Sequence, residues 1–356
     1  MSQTSPSPLR VVLVGCGGFS RNYLPVYRSL PGLTVAACVD ADPAAAQAMA
    51  GQLGAGAHSS DFALAVNTPA DYAVLSTPNF LHVEQATALL RSGKHLLLQK
   101  PMARHLAEAR QLFAAQRASG RTMGLYMSML DFGFWWELRD ALARGRNLGA
   151  VTQVSMRLGH TGGLLWNKQG VDLWRFSREK TGGGAFIMLG VHYIHFVRWL
   201  LGLRITRVLA QMANLHCPRV EGEDICQFQG ELDNGGLVQL SVAWNSQGEH
   251  FSVYGTEGSL VYLDNEHLRV HGAKPWQTSR FDYSTPGTWQ NFPGLVPPRL
   301  DDPANPHNQH RAFFEAIRDG RPPAVDAIEG LWDMQVTDAV YRSAASGRWE
   351  TIAYEA

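Results

Sequence analysis

The segment Val11-Val12-Leu13-Val14-Gly15-Cys16-Gly17-Gly18-Phe19-Ser20 constrains this chain more than any other. Four apolar residues in a row leave no polar face, so the strand they form is buried on both sides, as in a parallel sheet covered by helices. The glycines then allow a tight turn into a helix over 19–30, which Pro31-Gly32 closes. A second apolar run, Thr34 to Val39, ends at Asp40 and completes a βαβ unit. Gly15 permits the turn, and Gly17 lets the backbone approach a pyrophosphate at the helix start. Ser20, in place of a third Gly or Ala, is small enough for close helix–strand packing and brings a hydroxyl near the phosphate. Taken alone the loop is equally a plain strand-to-helix turn. Asp40, roughly 20 residues beyond the motif, tips it towards a dinucleotide, because a carboxylate there accepts hydrogen bonds from the adenosine ribose. Ala41 stands where an Arg for a 2′-phosphate is often found, which favours NAD and leaves NADP open.

The alternation continues. Asp42 caps a helix that opens at Pro43 and runs through Leu53, and strand-like runs at Tyr72–Ser76 and His95–Leu98 alternate with helical stretches at 80–92 and 104–118. This is the pattern of a doubly wound α/β sheet. Beyond Gly124 the runs Val151–Leu158, Gly236–Trp244, His250–Tyr254 and Ser259–Leu263 are divided by Asn234-Gly235-Gly236 and Glu257-Gly258, which are hairpin signals. The second half therefore reads as an α+β domain built on antiparallel strands. At 356 residues two domains are expected: a short disordered tail at 1–9, a dinucleotide-binding domain at 10–124 and a second α/β domain at 125–356. The stretch Lys274 to Asn305, dense in Pro, Gly and aromatics, reads as a long ordered loop, followed by helices at Gln309–Asp319 and Ala327–Ser346.

Lys+Arg and Asp+Glu both number 31, so no net field draws in nucleic acid or an anionic membrane. The four cysteines form neither a C-x-x-C pair nor a zinc-spaced cluster, and no metal is indicated. The polar start and the short apolar stretches point to a cytoplasmic protein without a membrane span.

The words Ser76-Thr77-Pro78-Asn79, His82, Gly93-Lys94-His95 and Gln99-Lys100-Pro101 follow the Gly loop in order. With Trp174-Arg175, Gly182-Gly183-Gly184, Gly190/His192 and Arg318-Asp319-Gly320-Arg321-Pro322-Pro323, they resemble the Gfo/Idh/MocA family of sugar and inositol dehydrogenases over nearly the whole chain. The resemblance implies a Rossmann domain followed by a domain on a large, mostly antiparallel sheet, whose face commonly forms the interface of a homodimer or homotetramer. It implies hydride transfer between a nicotinamide and a secondary alcohol of a sugar-like small molecule. Lys100 would be the catalytic lysine and His192 the proton relay. Gly15, Gly17, Gly18, Phe19, Ser20, Asp40, Ser76, Thr77, Pro78, Asn79, His82, Gln99 and Lys100 would bind the cofactor, with Trp174 and Arg175 at its nicotinamide end. General chemistry agrees, since oxidising an alcohol needs a group that removes the hydroxyl proton as hydride leaves, and His or a Lys of lowered pKa serves near neutral pH.

The chain departs from the family pattern at several positions, and where relatives often carry Asn or Arg two positions beyond Gly124 it reads Tyr126-Met127-Ser128-Met129, an apolar pocket floor. Gln99 replaces the usual Glu before Lys100, Met188 stands where an acid often precedes the active-site His by four residues, and His195 replaces a frequent Asp. A His192-x-x-His195 pair lacks a carboxylate nearby in sequence that would make it a metal site. Tyr126, Trp166, Met188 and His195 are the candidate substrate contacts, Trp166 as a platform for sugar C–H faces. Two other readings stay open: a non-catalytic dinucleotide-binding sensor similar to the galactose-pathway repressor of the same family, and an enzyme that cleaves glycosides by transient oxidation with retained NAD.

Overall fold

A computed structural model describes residues 8–143, 148–169, 173–263, 267–272, 305 and 307–355. Apart from Asn305, the stretch expected to be a long loop lies outside these residues, as do positions 1–7 of the expected tail. The described residues fall into two compact units, one within 1–103, 107–132 and 298–331, the other within 104–106, 133–297 and 332–356.

The first unit is a six-stranded parallel sheet of β1 (Leu9–Val14), β2 (Leu33–Val39), β3 (Ala57–Ser59), β4 (Tyr72–Leu75), β5 (His95–Gln99) and β6 (Met123–Tyr126) in the order 3-2-1-4-5-6. Helices α1 (Leu24–Ser29), α2 (Pro43–Leu53), α3 (Ala63–Asn67), α4 (His82–Arg91) and α5 (Leu106–Ser119) connect the strands. Val11 and Val12 are fully buried, as an unbroken apolar run demands. The expected cap holds, with Asp42 accepting the Ala44 N–H at 2.9 Å and Pro43 opening α2. The helix expected over 19–30 is split: Ser20–Tyr23 is a 3₁₀ turn and only 24–29 is α-helical. Pro25 explains the break, because it has no N–H to give the carbonyl four residues back.

The sequence places one boundary after residue 124, yet the chain returns to the first unit near its end. Leu125 N–H donates to Val325 O at 2.9 Å, and Gly124 bridges to Asp326. A Cβ on Gly124 would sit 2.9 Å from the Phe313 ring, so the glycine is what lets the later helix pack there.

The second unit is an eight-stranded sheet. Its strands β7 (Val151–Gly159), β8 (Ile205–Ala213), β9 (Ile225–Leu232), β10 (Leu237–Ala243), β11 (Gly248–Gly255), β12 (Gly258–Leu263), β13 (His267–Gly272) and β14 (Glu350–Thr351) lie in the order 13-12-11-7-10-9-8-14. Every pairing but β7–β10 is antiparallel. Cys226, Phe228 and Leu232 are buried while Gln227 and Gln229 are exposed, so one face is core and the other open. Helices α6 (Gly133–Ala143), α7 (Gly162–Lys168), α8 (Arg178–Thr181) and α9 (Val191–Leu201) follow the order of the chain. The last two are α10 (Gln309–Asp319), in the first unit, and α11 (Ala327–Ser346). By length and composition Arg178–Leu201 would suffice to cross a membrane, but 83% of its most apolar window is buried in the protein, as for a core helix.

Candidate functional site

Strand order reverses between β1 and β4, and in open α/β sheets the crevice beyond the strand ends at that point receives ligands. Gly15 and Ser76 flank this crevice. Ser76 N–H donates to Val14 O at 2.8 Å, and Gly15, with φ of +89°, turns so close that an added Cβ would lie 2.7 Å from the Ser76 carbonyl carbon and oxygen. Only glycine fits that conformation and that gap. Gly17 and Gly18 are exposed and have open space where a Cβ would be, which leaves the backbone of the loop bare. The Ser20 hydroxyl closes the turn by donating to Gly15 O at 2.6 Å, so its proton holds the loop and is not directed at a phosphate. Phe19, 40% exposed, packs edge-on against Tyr23 and Tyr126.

Asp40 fastens the loop from β2. One carboxylate oxygen accepts the Cys16 N–H at 2.6 Å and the other the Asp42 N–H at 2.9 Å. A carboxylate has about four lone-pair sites, so acceptor capacity for ribose hydroxyls remains. Bare loop backbone, a glycine-only crossing at the switch point and this acid together fit an adenine dinucleotide.

On the other bank, Thr77 Oγ1 donates to Gln85 Oε1 at 2.7 Å, Pro78 is half-buried and Asn79 is buried. His82, expected to line the cofactor, is 1% exposed and lies behind the loop, its Nε2 at 2.9 Å from Thr77 O and its Nδ1 at 2.9 Å from Pro101 O. Burial pushes its imidazole down to about 4 against the pull of those carbonyls. It ties the 77–79 loop to the segment after Lys100 and is not itself a lining residue. Lys100, half-buried, follows β5, and Gln99 Oε1 accepts its N–H at 3.0 Å.

Tyr126 overturns an expectation. It is 1% exposed, donates to Asp131 Oδ2 at 2.5 Å and packs against Tyr23 and His310, which makes it core and not pocket floor. Burial raises Asp131 to about 6 although Tyr126 and Gln309 donate to it.

In the second unit, half-buried Trp166 sits beside His160, Phe176 and Trp244 at ring distances of 6.1, 6.4 and 6.1 Å. Arg175 lies over Trp174 at 4.8 Å, and burial lowers its guanidinium pKa. Met188 falls on a π-helical turn, Phe186–Gly190, directly before α9, and His192 on the first turn of α9 is 9% exposed. His195 does not point to a ligand site: its Nδ1 is 3.3 Å from Asp333 Oδ2, both are buried, and Arg198 holds the other oxygen at 2.7 Å. His195 is thus paired in the core with an acid from α11. Lys100 belongs to the first unit and His192 to the second. Glu223, Asp333 and Tyr341 were not among the sequence candidates, and no local motif marks them.

Comparison with known proteins agrees with this geometry. Residues 9–127 match the model for an oxidoreductase family's NAD-binding Rossmann fold, and 140–352 match its C-terminal alpha/beta domain. The 1,5-anhydro-D-fructose reductase of Ensifer adhaerens is 30% identical over 281 residues, 78% of each chain. The D-apiose dehydrogenase of Paraburkholderia graminis is 25% identical, covering 97% of this chain and 90% of that one. In fold, levoglucosan dehydrogenase in complex with NADH superimposes with a TM-score of 0.83 at 22% identity, over 98% of this chain and 100% of that one.

Proposed function

The chain belongs to the Gfo/Idh/MocA oxidoreductase family, and from that premise we propose that it oxidises or reduces a sugar, cyclitol or related compound at a secondary alcohol carbon. The observation that carries the reading is the Gly15–Ser76 crossing at the switch point with Asp40 bound to the loop, a site built for NAD. Bound there, NAD supplies the hydride acceptor. Gly17 and Gly18 offer backbone to the pyrophosphate, Asp40 takes ribose hydroxyls, and Phe19, Ser76, Thr77, Pro78, Asn79 and Gln99 shape the cleft. Lys100 Nζ removes the hydroxyl proton in oxidation and, as an ammonium, polarises the carbonyl oxygen in reduction. His192 relays that proton, while Trp174 and Arg175 border the nicotinamide and Trp166 and Met188 the substrate.

Residues 10–124, with the later segment around 308–331 that belongs to the same unit, act as the dinucleotide domain, and the second unit acts as the substrate and assembly domain. The open face of the eight-stranded sheet exposes Gln211, Gln227, Gln229, Leu237, Gln239 and Tyr254 beside the Arg207–Glu231 ion pair, a mixed face that suits a homodimer or homotetramer interface. Four buried free thiols suit a reducing cytoplasm. The test is a screen of NAD and NADP against sugars, cyclitols and sugar acids with Lys100→Ala alongside, and light scattering for subunit number. Substrate-dependent reduction of NAD that is lost in the variant is expected. Turnover undiminished in Lys100→Ala would refute the assignment.

A further inference from the structure

The first N–H groups of a helix have no partner within it. At the start of 185–201, the segment that carries Met188, His192 and His195, the preceding residues are Gly182, Gly183 and Gly184, and none has a side chain to serve as a cap. A residue distant in sequence does this instead. Oε1 of Glu223 accepts from Gly184 N–H at 3.0 Å and from Phe186 N–H at 2.8 Å, and the Glu223 carbonyl accepts from Ala185 N–H at 2.8 Å. Three successive donors therefore end on one residue, itself 8% exposed. Tyr341 on α11 donates to the same Oε1 at 2.9 Å and fixes the carboxylate from behind.

Glycine makes this approach feasible. A Cβ on Gly184 would overlap the Glu223 backbone, one on Gly183 would overlap the Tyr341 hydroxyl, and one on Gly222 would lie 2.7 Å from the Gly183 carbonyl carbon. The helix is tied again further on, where Asp333 engages His195 and Arg198. His192 lies between these two ties, immediately after the π-helical turn 186–190 whose register the first tie sets.

We propose that Glu223, braced by Tyr341, is a positioning residue for His192: it fixes the start and register of the turn that presents the imidazole. Glu223 touches no substrate. The proposal rests on the reading of His192 as the proton relay. A negative group at a helix start is also favourable to the helix dipole, so both shape and charge act in the same direction.

The experiment uses the full chain with Glu223→Ala, Glu223→Gln and Tyr341→Phe. The His192 imidazole is followed by NMR with 15N-histidine, its signal assigned by loss in His192→Asn. Turnover is measured as kcat, KM and the pH profile of kcat, and NAD affinity by calorimetry. In Glu223→Ala the His192 resonance moves, the pH profile shifts and kcat falls by up to about 10²-fold, the scale of a misplacement near 1 Å, with NAD affinity unchanged. Glu223→Gln, which keeps an acceptor oxygen, restores most of kcat. Where Glu223→Ala does not fold, Tyr341→Phe decides: it leaves the three backbone bonds and removes the brace, so the His192 resonance and pH profile are expected to shift, and wild-type values of both would overturn the proposal. A lowered melting temperature with wild-type His192 resonance, pH profile and kcat would make Glu223 a structural residue only and overturn the proposal. Full turnover in His192→Asn would instead sink the relay reading, while the resonance still reports on Glu223.

Discussion

Gly15→Ala and Gly17→Ala separate the two tasks of the phosphate loop. At Gly15 the backbone has φ of +89°, and a methyl would sit 2.7 Å from the carbonyl carbon and oxygen of Ser76. The left-handed conformation costs a residue with a Cβ about 1–2 kcal/mol, and forcing β1 and β4 apart at their ends adds about 1–3 kcal/mol as for overpacking. The expected loss is about 2–5 kcal/mol, a large share of the 5–15 kcal/mol typical of a whole domain. At Gly17 φ is not in the left-handed region and nothing lies within 4 Å of an added Cβ. There Ala leaves stability unchanged or raises it by up to about 1 kcal/mol by restricting the unfolded chain. Its methyl, however, occupies the space through which the pyrophosphate reaches the backbone. Urea unfolding and calorimetric titration with NAD read the two effects independently. Gly15→Ala should lose stability and NAD together, Gly17→Ala only NAD. Equal NAD affinity in Gly17→Ala and wild type would refute the placement of the pyrophosphate, and an unshifted midpoint in Gly15→Ala would refute the crossing argument.

Asp40→Asn keeps an acceptor for Cys16 N–H but lowers the repulsion of a 2′-phosphate, so the ratio of NAD to NADP affinity should fall, checked by titration with each. Asp131, raised to about 6 by burial, binds its proton more tightly folded than unfolded, where a carboxyl of this type has a pKa near 3.9. Its contribution is full below about pH 4 and is lost as pH rises through about 6, amounting to roughly 3 kcal/mol; Asp131→Asn should remove that slope from urea midpoints measured between pH 4 and 7. Asp333→Asn withdraws the carboxylate that both Arg198 and His195 face in the core, at a cost of about 3–5 kcal/mol by thermal or urea unfolding, whereas joint replacement of all three by apolar residues should cost much less.

Local rules made part of this molecule readable. Asp42 and Pro43 fixed the start of α2, the run at 11–14 fixed β1 as a buried strand, and Asn234-Gly235 fixed the β9–β10 turn, because in each case the constraint lies within a few residues. The strands at 205–213 and 225–232 went unread although Ile225–Leu232 alternates buried and exposed residues, since its outward glutamines match a loop in composition as well as a strand face. Burial by distant chain was out of reach. Tyr126 looks like a pocket residue until Asp131 and His310 enclose it, and Asp131 is itself held by Gln309, 178 positions further along the chain.

The same limit explains the reading of His195. The family's frequent Asp is absent at this position, and from the sequence that is a lost charge near the active-site helix. In the fold the carboxylate comes from Asp333, 135 positions beyond Arg198, and the helix has its acid from a neighbour instead of from itself. Glu223 does likewise for the helix start, where three glycines would otherwise leave N–H groups without acceptors. At these two places a charge from a distant segment, buried in the core, meets a helix that carries no acid of its own there. Gln99 is the contrasting case. Its Oε1 is engaged by the Lys100 N–H, an acceptor that Glu would also offer, so the substitution leaves the backbone bond in place and removes only the negative charge beside the lysine.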